Sequence, residues 1–180
     1  MIKLGIVVGH ELDKPGASLN FLGHEHEYQY NHMLALAIKK CGALYGVDVE
    51  IFMRDGIGIS GSHKQAEEWG AEVVIELHFN SHSDASVKGA EVLTTVQYHT
   101  LNGFADEMAL VMSNIFSGPN RGVKYPLTPE NDGHPNVYRP VPTYLLEPFF
   151  GSNAEQAELA NRNEIPYAKA ILIAVQKYFG

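Results

Sequence analysis

His10, Glu27, His78 and Glu147 are the side chains whose types and positions could do chemistry together. Val73-Val74-Ile75-Glu76-Leu77 is a short, β-rich and mostly apolar run, so it reads as a buried strand that delivers His78 to its own end. Asn80, Ser81 and Ser83 follow as turn formers. Lys3 to Val8 reads as a strand that ends at Gly9-His10, and Thr143-Tyr144-Leu145-Leu146-Glu147 as one that ends at Glu147. In open α/β sheets ligands bind outside the carboxyl ends of strands, so all three ends are candidate chemistry. The fourth residue comes from a helix whose apolar positions Tyr30, Leu34, Ala37, Ile38, Cys41, Leu44 and Tyr45 recur at steps of three and four, with Gly46 as its stop. Counting back along that face sets Asn31 and then Glu27 inward. Two histidines and one glutamate from separate elements are the donor set of a catalytic Zn²⁺ site, which leaves a position for water. Glu147, as a carboxylate outside the metal shell, could then take the water's proton.

Any one of these residues alone has an ordinary explanation, since a strand-end histidine is more often structural than a ligand. The case rests on four coinciding. His24, His26, His32, His63, His82, His99 and His134 read as loop or surface residues, with His26 and Glu25 the nearest rivals for the ligand positions. Other chemistries lack their signatures. H-E-x-x-H and G-x-S-x-G do not occur, and the lone Cys41 lies on an apolar helical face, as a buried free thiol would.

The elements that must position these residues alternate between strand and helix. Val47 to Met53 alternates as a strand. Gly56-Ile57-Gly58-Ile59-Ser60-Gly61 is a literal G-x-G-x-x-G, but Arg54-Asp55 separate it from the strand. It therefore reads as a loop before a helix from Ser62 to Trp69, with Ser62 as N-cap and Gln65 completing a capping box. Ala90 to Val96 reads as a strand. Leu101, Phe104, Ala105, Met108, Val111, Met112 and Ile115 mark one helix, and Arg121 to Tyr125 a short strand. Residues 126–142 hold five prolines with Asn131, Asp132 and Gly133, which predicts a long surface loop, of a length that in compact domains is often functional. Asn153 suits the cap of a short helix to about Asn161, and Pro166 the first turn of a last one. The pattern predicts one α/β domain over 1–180.

Thirteen basic residues against 21 acidic ones give a formal charge of -8, and no basic run offers a face for nucleic acid or for an anionic membrane. The first ten residues turn polar too soon for a signal peptide, and no stretch reaches the length of a membrane span. The expectation is a protein made in the cytoplasm.

Gly9-His10 with Pro15-Gly16-Ala17, Glu27 with Asn31, Leu77-His78-Phe79-Asn80-Ser81, Arg121-Gly122-Val123-Lys124, and Leu146-Glu147-Pro148-Phe149-Phe150-Gly151-Ser152-Asn153 resemble, in order and spacing, the zinc-dependent N-acetylmuramoyl-L-alanine amidases of the type 3 family. Glu11 stands where that family usually has a second glycine, and Pro148 where many members have one. The resemblance implies a mixed, mostly parallel sheet of about six strands with helices on both faces, a phosphorylase/hydrolase-like fold. It implies Zn²⁺ held by His10, Glu27 and His78, with Glu147 as catalytic acid/base. The substrate implied is the amide between N-acetylmuramic acid and L-alanine in peptidoglycan. Asn80 and Arg121 are candidate substrate contacts, Asn80 having the alternative role of loop anchor. The setting expected is a phage or prophage endolysin released onto the wall at lysis, or a bacterial autolysin released from the mother cell. The oligomeric state is left open. Rival readings are another zinc amidohydrolase or carboxypeptidase acting on a small N-acyl amino acid or peptide, a nucleotide-binding module using Gly56, Gly58 and Gly61, and a silent wall binder.

Overall fold

The apolar runs become the inner strands of one sheet in the computed structural model, which describes residues 1–21, 24–101, 103–128 and 133–180. In chain order the elements are β1 (Ile2–Val8), β2 (Ser18–Phe21), β3 (His24–His26), α1 (Glu27–Gly42), β4 (Val47–Phe52), α2 (Gly58–Trp69), β5 (Val73–Leu77), β6 (Ala90–Leu93), α3 (Val96–Leu101), α4 (Phe104–Ile115), β7 (Asn120–Lys124), α5 (His134–Val137), β8 (Thr143–Glu147) and α6 (Ala154–Phe179). The six-stranded sheet runs β4-β1-β5-β8-β6-β7, and β2 pairs antiparallel with β3 apart from it. β4, β1, β5 and β8 are mutually parallel, while β6 runs antiparallel to β8 and carries β7 parallel to itself. The carboxyl ends of β1, β5 and β8 therefore share one sheet edge with the amino ends of β6 and β7.

Strand alternation divides the packing into two layers. Leu4, Ile6, Val8, Val73, Ile75, Leu77, Tyr144 and Leu146 join the larger core, with Leu34, Ile38, Met108, Met112, Tyr167, Ile171 and Leu172 from α1, α4 and α6. Val7 and Val74 point the other way, into a smaller cluster with Phe52, Ala66 and Ala71 under α2. This second layer is thin. A Cβ at Gly5 would already lie 3.3 Å from Ala66 Cβ and from Val74 Cγ2, so α2 rides close to the strands. Among the described residues no helix is long and apolar enough to cross a membrane.

Several boundaries differ from the sequence expectation, each for a local reason. α2 starts at Gly58 rather than Ser62, whose hydroxyl donates to the Gly58 and Ile59 carbonyls inside the helix; the capping box does not form. Gly58 and Gly61 thus belong to α2, with Gly56 in the turn before it. β6 stops at Leu93 because Thr95 Oγ1 accepts from Tyr98 N and starts α3, which the apolar pattern did not reveal. α6 runs through Pro166 as one helix. The carbonyl that proline leaves unpartnered, Arg162's, lies on an exposed turn where water can reach it, and the buried residues on either side hold one axis. Asn153 caps it as expected, accepting from Gln156 N at 3.1 Å. The proline-rich segment is not all loop, since α5 buries Asn136 and Val137; Asn131 and Asp132 lie outside the described residues. Leu44, placed inward by periodicity, is 83% exposed because α1 tightens into a 3₁₀ turn at Ala43–Tyr45. Cys41 is half-buried at the margin of the core.

Candidate metal centre

Residue His10 leaves β1 with a positive φ of 66°, a turn fixed by Gly9 N donating to Leu77 O at 3.0 Å. That hydrogen bond closes the β1 and β5 ends on each other. A Cβ at Gly9 would lie 2.4 Å from Leu77 O and 2.6 Å from the His78 ring, so only glycine allows this approach. The His10 and His78 rings then stand edge to face with centroids 5.0 Å apart.

Glu27, the first residue of α1, fills the space between them and is 3% exposed. Its Oε1 is 2.8 Å from His78 Nδ1 and accepts Phe79 N at 3.0 Å; its Oε2 is 3.1 Å from His10 Nε2 and accepts Ala17 N at 3.2 Å. Burial raises the pKa of this carboxyl, but hydrogen bonds from both histidines and their charge outweigh burial and bring it down to about 2. Burial lowers His78, yet its hydrogen bonds to Glu27 and Glu76 prevail and hold the imidazole well above 6.5. The two shifts bound the pH range of the metal-free fold. Glu27 contributes stability that is present above its ordinary 4.5 and is lost as pH falls toward 2. His78 contributes stability that is present below 6.5 and is lost as pH rises through its raised value. Thermal unfolding of the metal-free protein should therefore show these contributions together between pH 4.5 and 6.5, with stability falling on either side.

Ligand atoms of His10, Glu27 and His78 all lie within 4.8 Å of one another, the only such cluster among the described residues. Two imidazole nitrogens and a carboxylate in this arrangement suit a Zn²⁺-type cation. The surrounding backbone is cut to the cluster as well. A Cβ at Gly16, where φ is 79°, would fall 2.7 Å from His10 Cδ2 and 2.8 Å from Glu27 Oε2. Gly16→Ala should thus push two donors apart and weaken divalent-cation binding by roughly ten- to a hundredfold, the range for disturbed ligand support, as read by chelator competition.

Glu147 closes the third strand end. The β5–β8 register pairs Leu77 with Leu146, His78 N donates to Leu146 O at 3.1 Å, and so Glu147 stands beside His78. Both line a cleft of about 470 Å³ with His10, Glu27, Asn80, Arg54 and Asn136. Asn80 is a loop anchor. Its N donates to Phe149 O, its carbonyl accepts from Gly151 N, and its Nδ2 donates to Glu91 Oε1 at 2.9 Å. Arg121 converges on the same acid, Nε to Glu91 Oε2 at 2.9 Å, with its guanidinium 5.1 Å over the Phe150 ring.

The structure also brings in residues that the sequence reading passed over. Glu91 is the cross-strand partner of Glu147. His63, expected at the surface, is buried on α2 with Nε2 2.8 Å from Glu76 Oε2, on the face of that helix that also buries Ser62 and Ala66. A charged residue two positions before His78 in an apolar strand was the available signal for Glu76. His26 stays outside the cluster, and the side chains of His24 and Glu25 lie outside the described residues.

The N-acetylmuramoyl-L-alanine amidase family model matches residues 4–177. No curated protein sequence matches the chain. Among solved structures it is similar to the catalytic domain of CwlV, an N-acetylmuramoyl-L-alanine amidase from Bacillus (Paenibacillus) polymyxa var. colistinus, with TM-score 0.82, 22% identity and coverage of 99% of this chain and 98% of that one. It is also similar to the amidase AmiC2 of Nostoc punctiforme, with TM-score 0.81, 20% identity and coverage of 99% and 97%. The catalytic domain of the CD27L endolysin targeting Clostridia difficile gives TM-score 0.72 at 24% identity, with 98% of each chain covered. These likenesses establish the shared fold.

Proposed function

The chain belongs to the N-acetylmuramoyl-L-alanine amidase family, and on that premise we propose that it cleaves the amide between N-acetylmuramic acid and L-alanine in peptidoglycan with Zn²⁺ held by His10, Glu27 and His78. The observation that carries the reading is the meeting of these donors at one sheet edge, with Glu147 at the adjoining strand end. A Zn²⁺ held there would supply Lewis acidity, polarising the scissile carbonyl and making water a competent nucleophile near neutral pH. Glu147 would accept a proton from the attacking water as the water oxygen adds to the carbonyl carbon. As the C–N bond breaks, the same carboxyl returns the proton to the leaving amine of L-alanine. Asn80 and Arg121 both bond Glu91, and Arg121 is proposed as a contact for the glycan or stem peptide.

The setting we propose is lysis. The protein would be made in the cytoplasm and reach the wall after release, as an endolysin does, or as an autolysin released from the mother cell. Mass spectrometry of digested peptidoglycan tests the activity. New amino groups on L-alanine paired with free lactyl carboxylates on the glycan are the expected products. Loss of C-terminal amino acids from the stem would instead show a carboxypeptidase.

A further inference from the structure

Glu76 is fully buried on β5, two residues before His78 and on the same face of the strand. Its carboxylate is met from four elements. Oε1 accepts from Arg54 Nη1 at 3.0 Å, from Asn136 Nδ2 at 2.7 Å, and lies 3.1 Å from His78 Nε2; Oε2 lies 2.8 Å from His63 Nε2. Arg54 comes from the β4–α2 connection, His63 from α2, Asn136 from α5 and His78 from the end of β5.

Stability alone does not account for this hub. A buried ion-pair network is often no more stabilising than apolar packing of equal volume, and the adjacent layer under α2 is already apolar, with Val7, Phe52, Ala66, Ala71 and Val74. The hub does set which nitrogen of His78 faces the cluster. Both ring nitrogens meet a carboxylate, Nδ1 that of Glu27 at 2.8 Å and Nε2 that of Glu76 at 3.1 Å, so a cation seated among His10, Glu27 and His78 would take the place of the Nδ1 proton while Nε2 keeps its own and donates to Glu76. Arg54 and Asn136 both hold Oε1, the oxygen next to His78, so Glu76 cannot swing into the cluster and become a competing ligand. Asn136 also lines the cleft, so one carboxylate ties the groove wall to the ligand.

We propose that Glu76, locked by Arg54, His63 and Asn136, is a positioning residue that orients His78 for metal binding through Nδ1 and thereby sets the affinity of the site for a divalent cation. The proposal rests on the reading of His10, Glu27 and His78 as ligands. Glu76→Gln replaces an acceptor with an amide that cannot satisfy all four donors. Zn²⁺ affinity, measured by competition with a chromogenic chelator, should fall by roughly ten- to a hundredfold with all three ligands present. Glu76→Asp, which keeps the charge, should recover part of it. Nitrogen NMR of the Zn²⁺-loaded wild type, which needs no variant to fold, should show His78 protonated at Nε2 and metal-bound at Nδ1. Unchanged affinity in Glu76→Gln, or metal at Nε2, would overturn the role of Glu76 and leave the ligand assignment intact. Failure of the wild type to bind Zn²⁺ at all would overturn both.

Discussion

Glu147→Gln should bind Zn²⁺ as the wild type does yet hydrolyse peptidoglycan about 10²–10⁴-fold more slowly, the usual loss when a general acid/base is removed. The amide keeps the size of the side chain but can neither take a proton from water nor return one to the leaving amine. The fold should not suffer. Glu147 is half-buried and lies directly across the strand pair from Glu91, so the wild type sets two carboxylates at opposed positions. Relieving that repulsion should leave thermal stability unchanged or slightly raised while activity collapses, which is how a residue kept for chemistry behaves. Parallel rate and unfolding measurements on one preparation check this. A fall in stability matching the fall in activity would make Glu147 a structural acid instead.

Glu27→Ala should be more damaging because this carboxylate has two employments. It is a proposed ligand, and it is also the acceptor for Ala17 N, Phe79 N and both histidines. Its removal leaves a buried N–H at Phe79 without an acceptor and takes from the buried His78 one of its two anionic partners. Breaking a buried charge pair on one side costs about 3–5 kcal/mol, so the metal-free protein should unfold at markedly lower urea. Zn²⁺ binding and turnover should be lost together. His10→Ala makes the contrast: the His10 side chain is 32% exposed, and its imidazole meets Glu27 and, edge to face, the His78 ring. That variant should lose metal and activity while the metal-free fold keeps most of its stability. Metal content by emission spectroscopy, beside urea curves of the two apo variants, separates ligand loss from unfolding.

The proposed ligands were legible because strand ends and helical periodicity are local signals. An apolar run that stops at Gly9-His10 or at His78 announces both the strand and its edge. Glu27 followed from the i, i+3, i+4 spacing of α1 alone. What stayed hidden depends on contacts distant in sequence. Glu76 and Glu91 look like ordinary outward strand residues until α2, α5 and β7 are folded over them, and only the Glu76–His63 pair shows His63 to be buried. The start of α2 was misread because Ser62 and Gln65 fit a capping box, while the glycines before them could enter the helix with the Ser62 hydroxyl bonding back into it. Pro166 misled in the same manner. Packing of the residues on both sides against α1 and α4 overrides the local stop signal.

The most direct measurement is anomalous scattering from crystals of the Zn²⁺-loaded, active protein at the zinc edge. The account predicts one strong peak per chain, bounded by His10 Nε2, the Glu27 carboxylate and His78 Nδ1, with Glu147 beside it and not bound to it. Full activity with no peak among those three side chains, or with the ion seated elsewhere, would contradict it.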